Sequence, residues 1–139
     1  YQGKLIDKFW LEFKDGKVID FHAEVEHDAL KNLLETDQGS KYIGEIALIS
    51  HDSPISNTNI LFLNTLFDEN ASCHMALGRA YPMNIKNGVN LEISELEKQG
   101  YNNSMVHSDF MFGSEDMEIV GLTHDGSEVK VFSKGNFVI

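Results

Sequence analysis

Two Asp-Gly dipeptides, Asp15-Gly16 and Asp125-Gly126, each stand between short runs of strand-forming residues, and they constrain the fold more than any other feature of the chain. Asp-Gly favours two-residue hairpin loops because both positions need positive φ. Leu5 to Phe13, the Lys14-Asp15-Gly16-Lys17 turn and Val18 to Val25 therefore predict one β-hairpin. Met117 to Thr123, the His124-Asp125-Gly126 turn and Val129 to Phe132 predict a second, with Phe137 to Ile139 as a final strand. Between them, His27 to Thr36 carries Ala29, Leu30, Leu33 and Leu34 at helical spacing, with Gly39 shortly beyond its end. Ile43 to Ser50 is rich in strand formers, Ser50 to Thr58 contains Pro54 and predicts a loop, and Asn59 to Leu63 predicts a short strand. Cys73 to Leu77, followed by Gly78, is expected to end a helix. Val89 to Lys98 predicts a short helix, Gly100 to Asn103 a turn and Ser104 to Phe112 a strand. The expectation is an α+β fold: a mixed, mainly antiparallel sheet with hairpins at both ends and a few helices, forming a single domain over residues 1–139.

That size, with 42% hydrophobic residues, suffices for one core. No apolar run approaches the ~20 residues of a membrane span, and no basic-then-apolar signal opens the chain, so a soluble protein with no membrane partner is expected. A lone Cys73 cannot form an internal disulfide, and the simplest inference is a reducing cytoplasm. Twenty-two acidic side chains against 11 basic give a formal charge of -11, and Arg79 is the only arginine. Phosphate neutralisation needs clustered Lys and Arg, so nucleic acid is not an expected partner. Tyr1-Gln2-Gly3 runs at once into a strand without an initiator methionine, which suggests a piece of a longer protein.

Few residues stand out chemically. Glu45 lies in Ile43-Gly44-Glu45-Ile46-Ala47-Leu48-Ile49, where strand alternation makes both faces apolar, so its carboxylate needs a partner, either an ion pair or a metal. His107 and Asp109, two apart in a strand, share one face and can converge on one cation, using ligand types that zinc and cobalt accept. From that spacing alone, an exposed polar pair, or an Asp that orients the His, is the commoner reading. His74 and Tyr81 are seven apart, two turns if a helix persisted through Gly78. Cys73 beside His74 does not make a thiol–imidazole pair, and a buried small hydrophobe is the better reading. His22, His27, His51 and His124 are assigned no role. No phosphate loop, nucleophile elbow, His-Glu-x-x-His helix or CxxC pair is present.

Four stretches then change the odds: Thr36-Asp37-Gln38-Gly39-Ser40, Gly44-Glu45-Ile46-Ala47-Leu48, the long run Leu66 to Tyr81 containing Phe67-Asp68-Glu69-Asn70 and Cys73-His74-Met75-Ala76-Leu77-Gly78-Arg79-Ala80-Tyr81, and His107-Ser108-Asp109-Phe110-Met111. In order and spacing they resemble the signature of the M29, or thermophilic aminopeptidase, family. The resemblance implies the C-terminal half of a larger two-domain metallopeptidase. It further implies two divalent metal ions, cobalt or zinc, and removal of amino-terminal residues from a peptide substrate through a metal-activated water. Position by position, Glu45, His74, His107 and Asp109 are similar to the family's metal ligands, and Tyr81 to its site tyrosine, as a ligand or as a catalytic donor to the oxyanion. A further ligand glutamate with an adjacent acid lies upstream of the region matching Tyr1, so the missing N-terminal half is an expected partner and this chain alone is expected to be inactive. A homodimer is also expected. Two alternatives stand beside this reading: a metal-free binding or structural module with a buried His/carboxylate network, and a two-metal hydrolase acting on another bond. For Arg79, a structural ion pair with Glu45, Asp68 or Glu69 is favoured.

Overall fold

The computed structural model describes residues 1–139 and is α+β, with eight strands in three sheets and three short α-helices. The chain divides into two compact units, Tyr1–Glu45 with Ala76–Ser108, and Ile46–Met75 with Asp109–Ile139.

The first unit opens with the expected hairpin, β1 (Asp7–Lys14) antiparallel to β2 (Lys17–Val25). Asp15 and Gly16 take φ of 51° and 74°, the paired positive values that a tight turn of matching twist requires. Helix α1 (His27–Leu34) packs on β2 and buries Ala29, Leu30, Leu33 and Leu34, the four residues whose spacing predicts it. It stops two residues before Thr36, whose hydroxyl turns back onto the Asn32 carbonyl at 3.0 Å. Val18, Ala23, Ala76, Leu77 and Leu96 complete this unit's buried apolar set. Helix α3 (Ile93–Lys98) is shorter than the predicted Val89–Lys98, because Gly88–Asn90 forms a separate 3-10 turn.

Strands β3 (Ile43–Ala47), β4 (His74–Gly78) and β5 (His107–Met111) form a sheet in that order. The segment expected to end a helix is therefore a strand. Its small and apolar residues pair with neighbours on both sides: the Gly78 amide donates to the Tyr42 carbonyl at 2.8 Å and that of Arg79 to Val106 at 2.7 Å. A glycine that ends helices serves equally where strands approach closely. A Cβ on Gly78 (φ +95°) would lie 2.1 Å from the Val106 carbonyl oxygen, and one on Gly44 would lie 2.2 Å from that of Gly78. β3 is also not covered on both faces, since Ile46 is 59% exposed.

In the second unit, β6 (Ile119–Leu122), β7 (Glu128–Ser133) and β8 (Asn136–Phe137) make an antiparallel meander over buried Phe132, which packs on Phe137 with ring centroids 4.2 Å apart. The expected hairpin about Asp125-Gly126 is present, whereas Asn59 to Leu63 forms no strand. There the Phe62 and Asn64 amides donate instead to the buried Asp68 carboxylate, at 2.9 and 3.0 Å, which folds the segment into a loop. No helix is long and apolar enough to cross a membrane.

The meander carries a pH dependence. Hydrogen bonds from Lys130, the Lys134 amide and Ser133 hold the Glu118 carboxyl at about 2, against an ordinary value of 4.5. A depressed folded value means that these contacts stabilise fully above the unfolded value and are lost as pH falls toward about 2. The thermal midpoint is expected to fall between pH 4.5 and 2, and Glu118→Gln to fall less across that window. Equal slopes for the two proteins would remove Glu118 as a cause.

Candidate metal centre

In the first unit the site is built from β3, β5 and the segment after β4. Glu45 Oε2 lies 3.5 Å from His107 Nε2, with both side chains 23% exposed. The other ring nitrogen, Nδ1, lies 2.7 Å from the Arg79 carbonyl oxygen. A carbonyl only accepts, so Nδ1 carries a proton, and Nε2 faces the carboxylate, as an ion-pair donor when it is protonated and as a ligand atom when it is not. Either a proton or a cation can be held between Nε2 and the carboxylate. The Tyr81 ring meets His107 edge-on, with centroids 5.3 Å apart at 63°, and is itself 46% exposed. The glycines decide this geometry: Gly78 lets the chain turn so that Arg79 offers its amide to Val106 and its carbonyl to His107.

In the second unit, ligand atoms of Glu69, His74 and Asp109 all lie within 4.8 Å of one another. His74 opens β4 and is 3% exposed; its Nδ1 donates to the Ser72 carbonyl at 3.1 Å, leaving Nε2 as the ligand atom, as in His107. Glu69 is delivered by a 3-10 turn, Glu69–Ala71, directly after α2 (Thr65–Asp68). Asn64 caps that helix by accepting from the Leu66 amide at 3.1 Å, and Asp68 anchors the loop before it. Two imidazoles and several carboxylates, with each imidazole tied through Nδ1 to a main-chain carbonyl, are the donor set and outer-shell arrangement that zinc or a similar divalent ion takes. The residues present fit such a metal.

Glu45, Tyr81 and His107 thus come together in one unit, and His74 and Asp109 in the other. His107 and Asp109 alternate on β5 with Ser108 between them, the spacing that predicts a shared face. The helical reason for joining His74 to Tyr81 does not hold, because β4 is extended and Tyr81 follows it, just before the 3-10 turn Pro82–Asn84. Glu69 is the residue that sequence reasoning passed over. Its signal was its place five residues before His74 in the acidic Asp68-Glu69 pair, which spacing rules for regular helices or strands do not pick out. Arg79 forms no ion pair with Asp68: its Nε donates to the Ser104 carbonyl at 2.8 Å, and Asp68 is satisfied by main-chain amides. Cys73 is buried, and its thiol bonds the Ile49 main chain at 3.3 Å, in keeping with a structural role.

The sequence is 54% identical over 137 residues to Aminopeptidase 2 of Geobacillus stearothermophilus and 53% identical over 137 residues to Aminopeptidase AmpS of Bacillus subtilis (strain 168). Each alignment covers 99% of this chain and 33% of the relative, so the chain spans about a third of the length of the relatives it matches. Among solved structures, wild-type AmpT from Thermus thermophilus superposes with a TM-score of 0.83 at 39% identity, covering 99% of this chain and 33% of that one. The sequence pattern of the thermophilic metalloproteases matches residues 1–137, and the chain belongs to that family, M29.

Proposed function

We propose that this chain is the metal-site-bearing, C-terminal domain of an aminopeptidase that removes amino-terminal residues from peptides with two divalent ions, cobalt or zinc. Glu45, Tyr81 and His107 of the first unit and His74 and Asp109 of the second are the metal-site residues in this reading, and Glu69 adds a carboxylate beside His74 and Asp109. The observation that carries it is that each of two histidines bonds a main-chain carbonyl through Nδ1 and lies beside carboxylates: His107 Nε2 faces Glu45, and the ligand atoms of His74, Glu69 and Asp109 lie within 4.8 Å of one another. Bound cations would supply Lewis acidity to a water and to the scissile carbonyl.

The chain's own residues do the rest. The carbonyls of Arg79 and Ser72 orient the two imidazoles, so that neither ring reorganises when a ligand arrives. Tyr81, half exposed beside His107, reaches substrate as a phenolic hydrogen-bond donor to the developing oxyanion, or coordinates directly. The carboxylates offset the cation charge and select a substrate whose own amino group is protonated or metal-seeking. The remaining ligand glutamate and the acid beside it belong to the N-terminal part of the protein, in keeping with relatives about three times as long. A cytoplasmic location and a homodimer complete the proposal; the single buried Cys73, which needs no oxidising compartment, supports the former.

Metal analysis and hydrolysis of aminoacyl anilides test it, comparing the whole protein with residues 1–139. The whole protein is expected to hold two ions per chain and turn over, and the isolated chain to bind metal weakly and hydrolyse little. Comparable turnover by the isolated chain would show the upstream carboxylates to be dispensable. A whole protein that binds no metal would favour the metal-free His/carboxylate network.

A further inference from the structure

The segment Thr36 to Ser40 lies outside the metal centre, yet it holds a carboxylate bonded on every side. Asp37 accepts from the Gly39 and Ser40 amides, each at 2.8 Å, from the Ser104 hydroxyl at 2.9 and 3.0 Å, and from the Met105 amide at 2.6 Å. All these partners are neutral main-chain or hydroxyl donors. Burial pushes the Asp37 carboxyl up, but the Met105 amide, the Ser104 hydroxyl and the Ser40 and Gly39 amides together outweigh it and hold the group below the usual carboxylate range. Ser40, fully buried, ties the same loop to the end of α1 by donating to the Leu34 carbonyl at 2.9 Å. Asn102 joins from the other side, donating to the Gly39 carbonyl at 3.0 Å.

The clamped residues lead straight to His107. Arg79 Nε donates to the carbonyl of Ser104, the residue Asp37 holds, and the Arg79 amide donates to the Val106 carbonyl. The Arg79 carbonyl then receives His107 Nδ1–H. Asp37 thus fixes Ser104 and Met105, these fix Arg79, and Arg79 fixes the tautomer and ring plane of His107. We propose that Asp37 is a positioning residue for the metal centre, acting through Ser104 and Arg79 to hold His107 with Nε2 as its ligand atom. This rests on the metal-centre reading above, but it concerns the metal-free ring as well.

The test uses the whole protein carrying this sequence, as wild type, Asp37→Ala, Ser104→Ala and Glu118→Gln. The last breaks a comparable set of hydrogen bonds in the β6–β8 meander and serves as a control for general destabilisation. Nitrogen-15 spectra of histidine-labelled, metal-free protein report the His107 tautomer, and competition with a chromophoric chelator reports zinc affinity. In Asp37→Ala, His107 is expected to lose its single Nδ1–H tautomer and zinc to bind about 10- to 100-fold more weakly, the range seen when outer-shell partners of metal ligands are removed. Ser104→Ala is expected to show the same changes, smaller in size, and decides the matter if Asp37→Ala does not fold. An unchanged tautomer with zinc affinity within about twofold of wild type overturns the proposal, and so does an equal change in Glu118→Gln. A tautomer shift in a protein whose wild type binds no zinc leaves the positioning role standing and removes the metal reading instead.

Discussion

His107→Ala in the whole protein is expected to lower bound metal and aminopeptidase rate by about 100-fold or more while leaving the fold in place. The imidazole supplies Nε2 opposite Glu45, and alanine offers no donor atom in its place. Alanine fits the first position of β5, whose side chain is part-exposed, so little packing is lost. Asp109→Asn is expected to behave likewise, because an amide keeps the shape but not the charge that offsets the cation among Glu69, His74 and Asp109. His124→Ala is the control: the residue is exposed in the Asp125-Gly126 turn and belongs to neither cluster. Bound metal, thermal midpoint and rate should be measured on all three. Full metal content in His107→Ala would exclude it as a ligand, and an equal loss in His124→Ala would mean that the assay reports stability.

The second large effect is expected from a single methyl group. Gly78→Ala would place Cβ 2.1 Å from the Val106 carbonyl oxygen and 2.9 Å from its carbon, on a backbone with φ of +95° that side chains rarely adopt. Relief requires moving the main chain, which breaks the Arg79 amide bond to Val106. Strain of ~1–3 kcal/mol and the lost contacts together place the cost at roughly 3–5 kcal/mol. Because Arg79 also orients His107, metal affinity is expected to fall with stability. Urea unfolding of wild type and variant checks the first part and chelator competition the second. A midpoint unchanged by the substitution would show that β4 and β5 can separate here without loss.

How much of this was legible beforehand differs from element to element. Both hairpins were, because an Asp-Gly turn is a local conformational demand that two adjacent residues express by themselves. So was α1, whose four buried residues share one face of a short helix. The His107 and Asp109 pair could be placed on one face from the two-residue period of a strand. The segment from Cys73 to Gly78 could not be placed, because small and apolar residues before a glycine suit a helix end and a crowded central strand alike. Only the partners at Tyr42 and Val106 settle it, and they lie about 30 residues away in either direction.

The sequence by itself determined which chemical groups are available: two imidazoles and several carboxylates in words long enough to carry a family resemblance. Tertiary structure decided how those groups are presented. It brought Glu69 to His74 and Asp109, removed Asp68 and Arg79 into main-chain bonding, and gave each imidazole a carbonyl at Nδ1. The physical reason is that a ligand's tautomer and direction depend on a hydrogen-bond partner distant in sequence, and a linear pattern holds no information about which carbonyl will be there.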